Sequence, residues 1–413
     1  MRGFRTRSAV DDVIALIDGR LRPLPPEAID FRGAAGRVLA REVVAAEAVP
    51  AFDRAAMDGY AVRGEETFGA TPYNPALFRC VGAARPGRRC AVDVGPGEAV
   101  EITTGSALPP GADTVVKVES TRRHGDSVAI DEATPPGRHV GLRGEDVAPG
   151  TVVLAPGRVL RPQDLGVLSA IAASTIDVIR RPRVAVIVTG DELLAPGAAA
   201  VECRIADMNS VMIAALIARD GGVADVVGPL PDDRDRLREA IVGAATGADL
   251  VLISGGSSTG PEDHAPGLVA ELGELPVHGV ALRPASPTGL GFLDAGRVPV
   301  VLLPGNPVSC LCAYDFFAGA ILRRLGGRPI GWPHRAIVAP LARKLASVVG
   351  RVDYARVKVE AGGVVPLAVS GASILSSTTR ADGFVIVPAD LEGYPAGTPV
   401  TVRLYDDTPP PDS

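Results

Sequence analysis

Residues 248–266 read ADLVLISGGSSTGPEDHAP. Leu250 to Ile253 is an unbroken apolar run of strand length, which suits a strand buried on both faces of a parallel sheet. At Ser254 the run stops. Gly255, Gly256, Ser257, Ser258, Thr259 and Gly260 then make a loop whose backbone N–H groups can converge on an anion, because little side-chain bulk stands in the way. Glu262 and Asp263 close it, placed to hold a cation, to position an oxyanion or to cap a helix starting near Ala265. On local grounds an anion cradle and a plain strand-to-helix turn fit equally well.

Working outward from this stretch, residues 184–188 form a second buried run that ends in Thr189, Gly190, Asp191 and Glu192. The spacing predicts a helix over 210–219, a strand over 223–227, an acidic loop over 229–235 containing Asp232 and Asp233, and a helix over 236–245. Residues 300–303 form a further buried strand that ends in Pro304, Gly305, Asn306 and Pro307, before a helix over 308–325. Alternation of this kind over about 150 residues argues for an open, mainly parallel sheet. Ligands bind outside the carboxyl ends of such strands, so the loops at 189–192, 254–263 and 304–307 share one rim.

Upstream the texture differs. Val10, Val13, Ile14 and Ile17 lie at helical spacing with Ser8 as a candidate cap, and Gly36 to Ala40 suggests a second helix. Residues 49–140 carry short β-rich pieces (99–103, 114–119, 128–130) between Pro/Gly turns, which reads as a small all-β domain. Within it, FDRAAMDGYAV at 52–62 reads as a hairpin turning at Asp58-Gly59, with Phe52, Met57 and Tyr60 packed round it and Asp58 capping its own turn. Thr104 and Gly105 end a strand where backbone could approach a ligand. Arg143 sits in a glycine-flanked loop as a phosphate ligand or as the ion-pair partner of Glu145 or Asp146, and the ion pair is the simpler reading. Residues 163–172 read as a helix and 176–179 as a strand. Past Pro333 the pattern is β again (354–359, 373–375, 383–387, 400–404), a barrel or sandwich of roughly 80 residues. The tail DDTPPPDS has a disordered composition.

Bulk properties narrow the function. A length of 413 residues implies more than one core, and 46% hydrophobic residues can fill them. A net charge of −6 with no basic run argues against nucleic acid. Asp11, Asp12 and Asp18 interrupt any signal-peptide core and no apolar run reaches bilayer length, so a cytoplasmic, non-membrane protein is expected. The five cysteines lack zinc-site spacing and read as reduced, buried thiols. Lysine is nearly absent: only Lys117, Lys344 and Lys358 occur among 42 basic residues, so arginine carries almost all positive charge.

Taken together, FDRAAMDGYAV at 52–62, ITTGSALPPGADTVV at 102–116, LRGED at 142–146, VTGDEL at 188–193, SGGSSTGPED at 254–263 and LPGNPVS at 303–309 resemble the molybdopterin molybdenumtransferase family, which includes the gephyrin C-terminal domain. The likeness runs from end to end in the family's order. It implies a multidomain α/β plus β architecture: a discontinuous N-terminal segment (1–48 and 141–180), an inserted β domain (49–140), an open, mainly parallel α/β molybdopterin-binding domain (181–330), a C-terminal β barrel (331–408) and a tail (409–413). It also implies a homodimer that hydrolyses adenylated molybdopterin while inserting molybdate, releasing AMP, usually with Mg2+. Molybdopterin adenylyltransferase and molybdoenzymes or their chaperones are the further partners it allows.

On this resemblance Asp58, Glu192, Asp263 and Arg283 act in catalysis, with Glu192, Asp263 and Asp232 or Asp233 on the metal or the attacking water. Asp58 and Thr104 reach the crevice from the other subunit. Gly105, Arg143, Thr189, Gly190, Asp191, Ser254, Gly255, Gly256, Ser258, Gly260, Ser286, Pro304, Gly305 and Asn306 contact the substrate, with the glycine loop cradling the pterin's phosphate. The chemistry is coherent, because cleaving a phosphoanhydride needs charge neutralisation and positioning more than covalent catalysis.

One segment departs from the pattern. The family's Lys-Pro-Gly-Lys-Pro reads Arg283-Pro284-Ala285-Ser286-Pro287 here. Arg283 keeps the charge and offers bidentate contact to an oxyanion. Ser286 loses a positive charge, and a hydrogen bond to a charged group is worth about 1.5–3 kcal/mol, so affinity or rate falls by roughly one to two orders of magnitude unless another cation compensates. Ala285 removes backbone freedom, and His264, where an aromatic residue is usual, reads as lining the loop. A non-catalytic molybdopterin or molybdate carrier is therefore the alternative, with a nucleotide-processing protein of the competence-damage type behind it.

Overall fold

Leu250–Ser254 is a strand buried along its whole length, as its apolar run requires. It belongs to a computed structural model that describes residues 7–258, 260, 263–294, 296–368 and 371–406; Glu262 and the tail at 409–413 lie outside these. The chain divides into two units: Met1–Glu27, Gly36–Val38 and Ile179–Ser413 make one, Ala28–Ala35 and Leu39–Val178 the other.

In the first unit, Arg183–Thr189 (β1), Val223–Leu230 (β2), Leu250–Ser254 (β3), Gly273–His278 (β4), Gly289–Leu293 (β5) and Val298–Leu303 (β6) form one sheet in the order β2-β1-β3-β6-β5-β4. The first four in that order are mutually parallel, whereas β5 is antiparallel to both β6 and β4. The sheet is thus mixed, because residues 273–293, which carry no clean strand signal, return along its edge. Alternate residues split between two cores, as strand geometry dictates. Val184, Val186, Val188, Leu252, Val301 and Leu303 face one way, with Ile213, Ile217, Phe317 and Val13. Ala185, Ile187, Val251, Ile253, Val300 and Leu302 face the other, with Leu237, Ile241, Leu268 and Val269.

The flanking helices are Val10–Arg20, Asn209–Arg219, Arg234–Ala245, His264–Leu272 and the run Pro307–Ala313 and Gly319–Leu325, which is joined through a π turn at Tyr314–Ala318. Ser8 does not cap the first of these. It is extended and bridges Val280, with Ser8 N–H donating to Gly279 O at 3.0 Å and Ala281 N–H to Ser8 O at 2.9 Å.

The C-terminal part of this unit is a sheet in the order Leu282–Arg283, Val352–Glu360, Gly383–Val387, Pro399–Leu404, Ala336–Pro340, with Gly363–Ala368 also paired to Val352–Glu360. Residues 373–375 form no strand and instead lead into a single turn, Ser376–Thr379. Their backbone bonds are local, Ile374 N–H to Gly371 O and Leu375 N–H to Ser373 O, both at 3.1 Å, as in a turn.

The second unit holds a six-stranded sheet in the order Thr114–Lys117, Gly59–Val62, Glu98–Ile102, Ala76–Ala84, Ser127–Ile130, Thr121–His124. A further core of Leu39, Leu154, Leu160, Leu168, Ile171 and Val178 packs round the helix Pro162–Ala170. The expected helix at Gly36 to Ala40 is absent: the only helical turn there is Phe31–Gly33, and Leu39 bridges Val178 in extended form. The hairpin at Asp58-Gly59 is also absent. Arg54–Ala55 pairs with Val140–Gly141, while Gly59–Val62 lies between two other strands, so Phe52 and Met57 are exposed and only Tyr60 is buried.

All five cysteines are free, but only Cys310 and Cys312 are buried and Cys203 is exposed. Burial pushes the Cys310 thiol up to about 12, so it stays protonated. Among the described residues no helix is long and apolar enough to cross a membrane.

Candidate active site

The carboxyl ends of β1, β3 and β6 lie side by side, with Val188 opposite Ser254 and Ser254 opposite Leu303. The loops that leave them touch. Gly255 has a φ of +99°, and a Cβ there would stand 2.1 Å from Thr189 O. A Cβ on Gly305 would reach Gly255 Cα at 3.9 Å. At Gly255 only a residue without a side chain allows such an approach, whereas position 305 has ordinary contact space for a Cβ.

Asn209, at the start of its helix, ties two of these loops together. Its Nδ2 donates to Ser254 Oγ at 3.0 Å and to Gly305 O at 2.8 Å, while its buried Oδ1 has no partner. A cavity of about 530 Å3 opens beside it, lined by Thr189, Glu192, Asp207, Ser254, Gly255 and Asn306 among others. That volume suits a ligand of pterin size. Ser373 reaches the same rim from the C-terminal region, donating to Asn306 Oδ1 at 2.8 Å, and Val308 N–H donates to Ala372 O at 2.9 Å.

The acidic residues divide by role. Asp232 accepts from Thr189 Oγ1 at 2.8 Å, and its backbone N–H donates to Asp191 Oδ1 at 3.1 Å, so the pair clamps the β1 and β2 ends together. Asp233 instead caps the helix Arg234–Ala245, accepting the N–H of Asp235 and Arg236 at 3.0 and 2.8 Å. Both bonds end on Oδ1, which ties the carboxylate to the start of the helix. Asp263 precedes His264–Leu272 but turns back to accept Gly260 N–H at 2.6 Å, closing the glycine loop on itself. Among the described residues no three His, Cys, Asp or Glu side chains gather as a metal site, so Glu192, Asp232, Asp233 and Asp263 do not converge. Both Asp232 oxygens and one oxygen each of Asp233 and Asp263 already accept hydrogen bonds, so among the described residues the donor set does not fit a resident divalent ion.

The 283–287 segment differs from expectation. Arg283 is bidentate to Asp353, its register partner on the neighbouring strand, with Nε to Oδ1 at 2.7 Å and Nη2 to Oδ2; Ser347 Oγ adds a third bond to Oδ2 at 2.6 Å. Asp353 is fully buried, so its charge requires this guanidinium, which is not held free for an oxyanion. Ala285 is held at φ +93°, a left-handed conformation for a residue with a Cβ. Ser286 Oγ accepts Arg7 Nε at 2.8 Å.

In the other unit the Asp58 side chain does not cap its own turn, as the local sequence suggests, but meets residue 104. Thr104 donates to Asp58 Oδ1 twice, from N at 2.7 Å and from Oγ1 at 2.8 Å. The backbone bond, then the hydroxyl, hold this exposed carboxyl below its usual range and keep it ionised. Gly105 follows at φ +81°, its N–H on Ala55 O at 2.8 Å. Arg143 makes no ion pair with a carboxylate among the described residues: its N–H donates to Asp53 Oδ1 at 2.7 Å and its Nε to Ala51 O at 3.2 Å. Glu145 is occupied with Leu142 N–H.

The MoeA N-terminal region (domain I and II) matches residues 8–172, a probable molybdopterin binding domain matches 185–324, and the MoeA C-terminal region (domain IV) matches 338–405. Molybdopterin molybdenumtransferase 2 of Mycobacterium tuberculosis is 37% identical over 396 residues, covering 92% of this chain and 96% of that protein. The chain belongs to the MoeA family. A molybdopterin biosynthesis protein of Methanocaldococcus jannaschii is 33% identical, with 91% of each chain covered. The crystal structure of a MoeA protein from Pyrococcus horikoshii superposes with a TM-score of 0.84 at 33% identity, covering 98% of this chain and all of that one.

Several features of this MoeA chain's rim carry no sequence motif. Asn209 is a lone amide before a helix, Ser373 lies in a different region, and Asp353 is one carboxylate among many. The apolar neighbours Tyr354, Ala355 and Val357, which with Asp353 and Arg356 form the buried run 353–357 of the strand Val352–Glu360, are the one signal that could have marked it as a paired charge.

Proposed function

We propose that this chain is a molybdopterin molybdenumtransferase that cleaves adenylated molybdopterin, releases AMP and loads molybdate at the dithiolene. The observation that carries the reading is the cavity at the strand ends, floored by Ser254, Gly255 and Gly305 and carrying the unpartnered Asn209 Oδ1. An unpaired buried acceptor costs about 1–3 kcal/mol, a deficit that a donor on the bound substrate would offset. The glycine loop's N–H groups suit the phosphate, and Ser254 with Asn306 suits the pterin's polar edge.

Glu192 lines the cavity and is the carboxylate left to orient water toward the phosphoanhydride. Asp58 and Thr104 are proposed to act from a second copy of the chain in a homodimer. What supports this is an ionised, exposed carboxylate with only one oxygen engaged by Thr104. No step is assigned to magnesium, for which the described residues give no site. Molybdopterin adenylyltransferase is the natural supplier of the substrate, and the cytoplasm the expected compartment.

The test is to supply the purified protein with adenylated molybdopterin and molybdate and to follow AMP by chromatography. Release of AMP at turnover is expected; tight substrate binding with no AMP would give the carrier reading instead.

A further inference from the structure

Carboxylates crowd the rim of the cavity: Asp191, Glu192, Asp207 and Asp232 stand at its loops, and Asp263 closes the glycine loop. A substrate bearing phosphate or molybdate oxygens is repelled there unless a cation faces it. Arg283, the sequence's candidate, is held by Asp353.

Arg7 is not committed in this way. Its position is built, because Ser8 is pinned on both sides of Val280 by two backbone hydrogen bonds at 3.0 and 2.9 Å. Val280 follows the carboxyl end of β4, and His278, the last residue of β4, contacts Ser257 O of the glycine loop through Nε2 at 3.1 Å. The segment carrying Arg7 therefore runs along the same rim as the cavity. Arg7 Nε is spent on Ser286 Oγ at 2.8 Å. The remainder of its guanidinium makes no ion pair among the described residues, and the residue is exposed.

We propose that Arg7 is a substrate-binding residue, presenting its two Nη groups to a tetrahedral oxyanion of the substrate, with Ser286 as the hydroxyl that orients it. A planar fork held at Nε leaves two parallel N–H donors free, the geometry that suits phosphate and related oxyanions. The positive charge absent from position 286 is thereby supplied from the N-terminal segment, 279 residues away in sequence. This rests on the transferase reading, which supplies the anionic substrate.

The experiment compares wild type, Arg7→Gln, and Arg7→Gln combined with Ser286→Lys, reading the KM for adenylated molybdopterin and, separately, for molybdate. Loss of one charged hydrogen bond raises KM about tenfold or more in Arg7→Gln. A rise for adenylated molybdopterin identifies the phosphate as the bound oxyanion, and a rise for molybdate identifies the metal oxyanion. The double variant, with a cation restored at the same spot, recovers most of the loss, which a merely structural role for Arg7 would not allow. Unchanged KM values for both substrates in a folded Arg7→Gln protein overturn the proposal, as does a loss that Ser286→Lys leaves in place. If wild type itself releases no AMP, the transferase reading fails. Arg7 is then judged by equilibrium binding of adenylated molybdopterin alone, where tenfold weakening supports it and equal affinity refutes it.

Discussion

Arg283 and Asp353 show how one side chain's apparent role changes once its neighbour is known. With Asp353 fully buried and held by Arg283 and Ser347, removing the guanidinium leaves a desolvated charge without its cation. Arg283→Ala is expected to destabilise the fold by about 3–5 kcal/mol. Urea unfolding measures this, and a loss below about 1 kcal/mol would return Arg283 to the substrate. Ala285, at φ +93° and buried, carries a conformational cost of about 1–2 kcal/mol that glycine would not. Against that stands the burial of one methyl, worth about 0.8 kcal/mol. Ala285→Gly is therefore expected to leave stability unchanged or raise it by up to about 1 kcal/mol, as read from thermal midpoints. Thr104 gives a pH signature. Its hydroxyl helps hold Asp58 ionised below the ordinary carboxylate range, so Thr104→Val lets the Asp58 pKa rise. The acid limb of the AMP-release profile then moves to higher pH, part-way only because the Thr104 N–H bond remains; an unmoved limb would separate Asp58 from the reaction.

Among the elements, the strand ends at Thr189, Ser254 and Leu303 depend on backbone contact across the rim. In Gly255→Ala the new Cβ would stand 2.1 Å from Thr189 O, a clash that forces the strand ends apart. Stability is expected to fall by about 1–3 kcal/mol and AMP release to fall further, because the cavity floor itself shifts. Calorimetry alongside turnover separates the two effects. The elements also show what was legible beforehand. The buried runs of β1, β3 and β6 and the loops after them were readable, because continuous burial leaves an unbroken apolar signature. β4 and β5 were not: Gly273–His278 contains Glu, Pro and His, and its pairing depends on an edge visible only in three dimensions. Residues 36–40 have helical composition, yet their extended form is set by the bridge from Leu39 to Val178, a tertiary contact that overrides local propensity. The Arg7–Ser286 and Arg283–Asp353 contacts join residues far apart in sequence and leave no periodic trace.

At the scale of the molecule, the first unit carries its own response to acid. His334 lies among Trp332, Phe384 and Tyr405, with Arg219 Nη1 at 3.3 Å from Nε2. Burial lowers its pKa below the ordinary 6.5, with Asp315 opposing and Arg219 assisting. The unfolded chain thus takes up a proton near pH 6.5 that the folded chain refuses until lower pH. The stability concerned is complete above that value and is lost as pH falls through it, by up to about 1.4 kcal/mol per pH unit. His334→Phe should flatten this slope between roughly pH 7 and pH 5.5, as followed by urea unfolding; an identical slope would place the titration in another group.

The bonds from Ser373 to Asn306 and from Val308 to Ala372 join the C-terminal region to the cavity wall, and Arg283 with Asp353 makes a second such seam. The three matched segments of the chain are for this reason poor interchangeable cassettes. A chimera that exchanged the C-terminal region between relatives would inherit a mismatched wall at the cavity and a buried carboxylate whose cation sits in the other parent. Recombination within this architecture is expected to succeed only where residues 283, 306, 353 and 373 travel together.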